Sequence, residues 1–363
     1  MKKSTLWFGL AACSAMLLVG CGGGESAAKQ SEPAVLDGSV AAIRCDYRMD
    51  AKRPAFQKIA ETTLALLKDL PKEAEVLKGI IEKNVKAVGT PDGVQWCALS
   101  VGEVEMPGEK GIVIPDIAFA LAAKRSLELE AEVKKLVKEQ GGKEVEDAFA
   151  VEDADIAGCK ACRLVLKGEA KKELDDNKVA NLSLCWAWLN NDSLLLAASN
   201  EKTLAALIAL YRDGKGASAK FAFDKSMLSF VLPEPGKQVA KFASDDDLKA
   251  VPGGAKVAKG LTDLRLSYGF SADGNNLDVR LSVQTGDEKV AKDLRDQANG
   301  LLAMAKMGLK TDEKSSDEEK FAAEAVNAVK IEGTSDIAVS ISLPLEGVLK
   351  QLNDAPKKLG KLL

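Results

Sequence analysis

The sequence predicts an α+β protein, with antiparallel sheets carrying helices packed on one face and a division into two tandem, similar domains. Three observations predict this. Short segments of period-two hydrophobicity alternate along the chain with segments of 3.6-residue period. A strand, helix, hairpin, helix order starts near residue 40 and restarts near residue 221. The chain has 363 residues of which 46% are hydrophobic, enough to bury two cores of ordinary size.

Taken in order, Ser39 to Tyr47 reads as a strand because Ile43, Cys45 and Tyr47 fall on one face. The next helix rests on Phe56, Ile59, Ala60, Thr63, Leu67 and Leu70, with Pro54 tolerated near its first turn and Pro71 stopping it. Val94 to Val101 and Ile112 to Ala122 read as strands, joined through the turn-forming Met106, Pro107 and Gly108. Leu129, Val133, Leu136 and Val137 stripe another helix, which Gly141 and Gly142 end. Residues 145–199 hold three or four strands. Among them is a hairpin in which Asn190, Asn191 and Asp192 separate Leu182 to Leu189 from Leu194 to Ala198. A helix with Leu204, Leu207, Ile208 and Tyr211 closes this half.

The polar, glycine-rich run from Arg212 to Ser218 marks a boundary between a first domain over 39–214 and a second over 219–363. In the second, Phe221 to Leu232 reads as strand, Gly236 to Val251 as helix, and Thr262 to Gln284 as a hairpin turning at Ser271 to Asn276. Val290, Leu294, Gln297 with Ala298, Leu301 and Ala305 stripe a long helix, and Phe321, Ala325, Val326 and Val329 stripe the next. Strands at Val329 to Glu332 and Ile337 to Leu343 precede a final helix from Leu345. Asp224 to Pro233 and Thr334 to Pro344 read as copies of one another, each a strand ending in Leu-Pro that leads straight into a helix. Proline cannot donate to a sheet ladder but suits a helix's first turn.

The N-terminus carries an address. Lys2 and Lys3 precede an apolar run from Leu6 to Gly20, which closes in Leu18-Val19-Gly20-Cys21. The run is shorter than the roughly 20 residues that span a bilayer. This segment resembles the lipobox of bacterial lipoprotein precursors. The resemblance implies a signal peptide over 1–20, a diacylglyceryl thioether on Cys21 and an acylated new N-terminus. Gly22 in place of aspartate implies export to the outer membrane in a Gram-negative host. Two or three acyl chains hold a protein on a membrane almost permanently, since each buried methylene contributes about 0.8 kcal/mol. Residues 21–38 are small and polar and read as a flexible tether.

Composition narrows the chemistry. There is no histidine, which removes the imidazole base, the commonest metal ligand and any histidine-dependent triad. Lysine and glutamate are interspersed around a net charge of -4, so a nucleic-acid partner is not expected. Neither a cofactor nor a metal is expected.

Each remaining candidate has a structural reading beside it. Cys159 and Cys162 have CxxC spacing, but they run into an alternating strand rather than opening a helix, so a disulfide or buried thiols outweigh redox or zinc chemistry. Beyond Cys21 the exported chain holds Cys45, Cys97, Cys159, Cys162 and Cys185, an odd number. Cys45 with Cys97 is the pair to consider first, since both sit on strands of the first domain. Trp186 and Trp188 share a strand face, as a sugar-stacking platform or as core. Asp245, Asp246 and Asp247 after Ser244 suit a helix cap. Asp273, Gly274, Asn275 and Asn276 are turn chemistry.

The expected function is that of a lipid-anchored envelope protein that binds or scaffolds without catalysis, meeting the membrane through Cys21 and an envelope protein or small apolar ligand elsewhere. The alternatives are a carrier of an apolar ligand or lipid, and a carboxylate-dependent enzyme acting on envelope glycans. Replacing Cys21 by serine is expected to release the protein from the membrane fraction or to block signal processing. Unchanged fractionation of Cys21→Ser would refute the anchor.

Overall fold

In a computed structural model the described residues are 33–48, 54–66, 82, 93–105, 112–123, 125, 147–176, 179–180, 183–190, 192–213, 221–244, 246–250, 254–309, 311 and 315–351. The signal peptide, Cys21, the helix expected on Leu129 to Val137, Leu182, Asn191, Asp245 and most of the expected boundary run lie outside them. The chain divides into two units, one of residues 1–51 with 70–222 and one of residues 52–69 with 223–363.

The first unit opens with β1 (Ser39–Asp46). The chain then passes through α1 (Pro54–Leu66), which belongs to the second unit. The expected first domain over 39–214 therefore loses one helix to the second, because what places a helix is the apolar face it finds rather than its neighbour in sequence. Back in the first unit come β2 (Trp96–Gly102), β3 (Ile112–Val113), β4 (Ile117–Ala122), β5 (Phe149–Ile156) and β6 (Cys159–Leu166). They are followed by α2 (Gly168–Asp176), β7 (Val179–Ala180), β8 (Cys185–Leu189), β9 (Leu194–Ala198) and α3 (Glu201–Arg212). Its sheet runs β1-β2-β4-β9-β8-β6-β5 with antiparallel neighbours, and β3 pairs β7 in parallel beside it.

Alternation sorts this sheet into two unlike faces. Arg44, Ala98, Ala120, Leu196, Ala187, Ala161 and Ala154 are successive partners across seven strands, and the neighbouring row Ala42, Ser100, Ala118, Ala198 and Cys185 is nearly as small. Small side chains let a helix come close, and α3 occupies this face with Leu204, Leu207 and Ile208 fully buried. Each such burial contributes about 2 kcal/mol. Trp96 lies on the same face and stacks on Tyr211 of α3, ring centroids 6.3 Å apart.

The other face is bulky: Leu121, Ala123 and Leu195 are buried with Val94, Cys97, Phe119, Trp186 and Trp188 against them. Period-two register is the cause, since a strand residue one step along points to the opposite side. By the same rule Cys159, on the α3 face, and Cys162, three residues on, point to opposite sides of β6.

The tether ends earlier than its composition suggests. Pro33, Ala34 and Val35 are buried, and the Ala34 amide donates to the Tyr211 hydroxyl at 3.0 Å.

The second unit holds β10 (Leu228–Pro233), α4 (Pro235–Phe242), a 3-10 turn (Asp247–Ala250) and α5 (Gly254–Lys259). Beyond these lie β11 (Leu261–Phe270), β12 (Asn276–Thr285), α6 (Glu288–Gly308), α7 (Asp317–Ala328), β13 (Lys330–Glu332), β14 (Asp336–Pro344) and α8 (345–351). Its strands run β10-β11-β12-β14-β13, all antiparallel. Helix α1 buries Ala55 here, in one cluster with Phe270, Leu277 and Leu345. Both Leu-Pro strands, β10 and β14, end at their proline and pass into α4 and α8. The helix expected over Gly236 to Val251 is instead broken after Phe242, and Ser244 meets only the 3-10 turn: Asp247 accepts from the Ser244 amide at 2.9 Å and hydroxyl at 2.6 Å, which holds its carboxyl below the ordinary range. Asp273 does the same for the β11-β12 turn, accepting from the Ser271 hydroxyl and from the Asn275 amide at 3.1 Å.

One stripe differs. Leu301 is 53% exposed, and the half-buried side of α6 runs through Ala298, Leu302 and Ala305 instead. The rest of the stripe stands as expected, with Val290 buried and Leu294, Gln297, Ala298 and Ala305 half-buried, and Ala291 is buried completely beside Val290.

Gly236 sits where α4 meets the end of α5. A Cβ there would collide with the Lys259 carbonyl oxygen and approach the Leu261 oxygen to 2.8 Å, and backbone cannot swing aside as a side chain does. Gly236→Ala is expected to cost about 2 kcal/mol or more in urea unfolding. A variant as stable as the parent would refute the close approach.

Candidate functional site

A cleft of about 690 Å³ opens in the first unit. Three strand ends and one helix build it. Leu36 to Ser39 lead into β1, Gly102 to Glu105 follow β2, Val113 to Asp116 lead into β4, and α3 supplies Lys202, Thr203, Ala206, Ala209 and Leu210, with Asp213 at its cap. The helical residues lie three or four apart, so they share one side of α3. The apolar part of its lining comes from Leu36, Val113, Ile114, Pro115, Ala206, Ala209 and Leu210. Charge around it is one-sided: carboxylates come from Asp37, Glu103, Glu105, Asp116 and Asp213, and an ammonium from Lys202.

Asp116 is the joint of this cleft. Its Oδ1 accepts from the Thr203 hydroxyl at 2.9 Å and from Asn200 Nδ2 at 2.8 Å, while its backbone oxygen accepts from the Gly102 amide at 2.6 Å. Asn200 in turn caps α3, its Oδ1 accepting from the Thr203 amide at 2.9 Å. Ser199 completes the contact, donating to the Pro115 oxygen at 3.2 Å and accepting from the Ile117 amide at 3.0 Å. Gly102 is needed there because a Cβ would come within 3.0 Å of the Asp116 Cβ.

The residues singled out from sequence fall elsewhere. Trp186 and Trp188 are half-buried on the bulky face, with the Arg125 guanidinium 6.0 Å from the Trp188 ring centre, and neither lines the cleft. Cys159 is buried on the α3 face and takes a hydrogen bond from Arg212 Nη2 at 2.9 Å. Cys185 is fully buried, and burial, with the Glu201 carboxylate adding to it, pushes its thiol up to about 12. Cys162 pairs across strands with Trp186, and Cys45 with Cys97. Among the described residues no group of three or more Cys, Asp or Glu side chains is placed to hold a metal ion.

Sequence reasoning missed the cleft. Asn200 three residues before Thr203 is a legible cap signal, but Asp116 is 87 residues from Thr203 and only the pairing of β4 with β9 brings them together.

Asn200→Asp separates the two duties of this position. Aspartate caps a helix as well as asparagine does, yet it would set a carboxylate where Asp116 now receives an N–H. The variant is therefore expected to lose about 1 kcal/mol in chemical unfolding at neutral pH. Parental stability would mean that the contact with Asp116 contributes nothing.

Compared with models of known protein families and with curated proteins, the chain matches none.

Proposed function

We propose that the protein is a lipid-anchored cell-envelope binding protein, held through Cys21, that takes a small cationic ligand in the cleft of its first unit and performs no catalysis on it. The cleft carries this reading: the apolar part of its lining can shield a ligand's hydrocarbon from water, and five carboxylates against one ammonium favour positive charge. The anchor bounds where it works. Pro33, which is buried, lies twelve residues on from Cys21, a reach of at most about 43 Å, and the chain enters the first unit through Leu36 to Ser39, which line the cleft. The ligand is thus met close to the membrane surface.

A carrier of an apolar ligand is the second reading, and the apolar lining from Val113 to Pro115 with Ala206, Ala209 and Leu210 favours it. We also propose that the two units are copies of one design. The strand path β1-β2-β4-β9-β8 in the first matches β10-β11-β12-β14-β13 in the second, with a helix following β9 in the one and β14 in the other.

Calorimetric titration with spermidine tests the cation reading, with palmitate as the apolar comparison. Spermidine is expected to bind the parent, and Asp37→Asn with Glu105→Gln to weaken it about tenfold or more, with a smaller difference at high salt. Palmitate binding that ignores both substitutions, with no spermidine binding, would replace the reading by the carrier.

A further inference from the structure

Cys45 and Cys97 stand directly opposite one another on β1 and β2. Two residues along, the Tyr47 amide donates to the Gln95 oxygen at 2.9 Å, so the pair 47/95 is hydrogen-bonded and, with period two, so is 45/97. Opposed Cα atoms at such a pair are about 5.5 Å apart, inside the range of about 4.4–6.8 Å that a disulfide bridges. The two thiols point to one side of the sheet, half-buried, and hydrogen-bond to each other.

The two thiols differ in chemistry. The Cys97 thiol, the Tyr47 hydroxyl and the Arg44 charge hold Cys45 below the ordinary thiol range against the opposing effect of burial. Cys97 is pushed well above that range, first by its hydrogen bond to Cys45 and then by burial. Among the described residues, Cys159 and Cys162 point to opposite faces of β6 and so cannot bridge to each other, and Cys185 is fully buried.

We propose that Cys45 and Cys97 form a thiol–disulfide exchange site, with Cys45 as the attacking thiol and Cys97 as the resolving one, whose substrate is a disulfide compound or a partner protein's disulfide. This goes beyond ligand binding in the cleft and does not depend on it. The Cys45 thiolate, its proton already in solvent, attacks one sulfur of the substrate. The S–S bond breaks, a mixed disulfide forms on Cys45, and the departing thiolate takes a proton from water. Capping Cys45 removes the hydrogen bond that disfavours the Cys97 thiolate. The Cys97 sulfur then attacks the Cys45 sulfur, its proton passing to the second departing thiolate. Two protein thiols are oxidised to one disulfide, and one substrate disulfide is reduced to two thiols.

The test uses the full chain in detergent, fully reduced with dithiothreitol, freed of reductant, exposed to oxidised glutathione, quenched by alkylation and mapped by mass spectrometry. The expected product is a Cys45–Cys97 linked peptide. Cys97→Ser should accumulate glutathione on Cys45, and Cys45→Ser should take up glutathione at Cys97 at least tenfold more slowly. The proposal fails if the parent forms no Cys45–Cys97 link while other cysteines react, if no cysteine reacts at all, or if Cys45→Ser is modified at Cys97 as fast as Cys97→Ser is at Cys45. Near-UV circular dichroism of both variants separates altered reactivity from misfolding, and the parent result stands alone if either variant misfolds.

Discussion

The close seating of α3 on a face of small side chains is the constraint on which the first unit depends. Ala98, Ala120, Ala187 and Ala161 occur in one cross-strand row, interrupted by Leu196 on β9, with Ala118 and Ala198 in the next, and over them Leu204, Leu207 and Ile208 are buried without remaining exposure to speak of. Larger residues in those rows would lift the helix, and a gap in a close-packed interior forfeits contacts that nothing else replaces. The same seating orients the outer side of α3, so the positions of Lys202, Thr203, Ala206 and Ala209 around the cleft follow from packing on the opposite side of the helix.

Polar contacts then lock the ends. Asn200 caps the helix and Asp116 ties that cap to the start of β4, while Tyr211 at the other end stacks on Trp96 and receives the amide of Ala34. Burial pushes the Tyr211 phenol upward, so it stays a neutral hydroxyl that accepts this bond. A segment that composition marks as tether thus contributes Ala34 and Val35 to a core. The cleft is bordered by that docked segment, and what enters the cleft and what holds the N-terminal arm share residues 36–39.

Much of the secondary structure was legible, because strands and helices here obey their periods closely. The hairpin around Asn190 and Asp192, both at positive φ, and the Leu-Pro passages at Pro233 and Pro344 are local chemistry, and local chemistry is written in neighbouring residues. The opposed sides of Cys159 and Cys162 also follow from counting along a strand. By contrast, the transfer of α1 to the second unit, the exposure of Leu301 on α6 and the meeting of Asp116 with Thr203 were not legible. Each depends on which of several similar apolar surfaces a segment meets, and periodicity reports that a face is apolar without naming its counterpart.

By itself the sequence determined the α+β class, the turn chemistry at Ser244 and the absence of imidazole chemistry, all properties of composition or of residues a few positions apart. Tertiary structure decided which strands became neighbours. That choice set Cys45 opposite Cys97 rather than merely on another strand, and turned Trp186 and Trp188 to the bulky face away from the cleft. It also gathered carboxylates from four separate segments around one cleft. The physical reason is that register between distant strands is fixed by the summed fit of whole faces, a quantity to which every residue contributes and that no short segment contains.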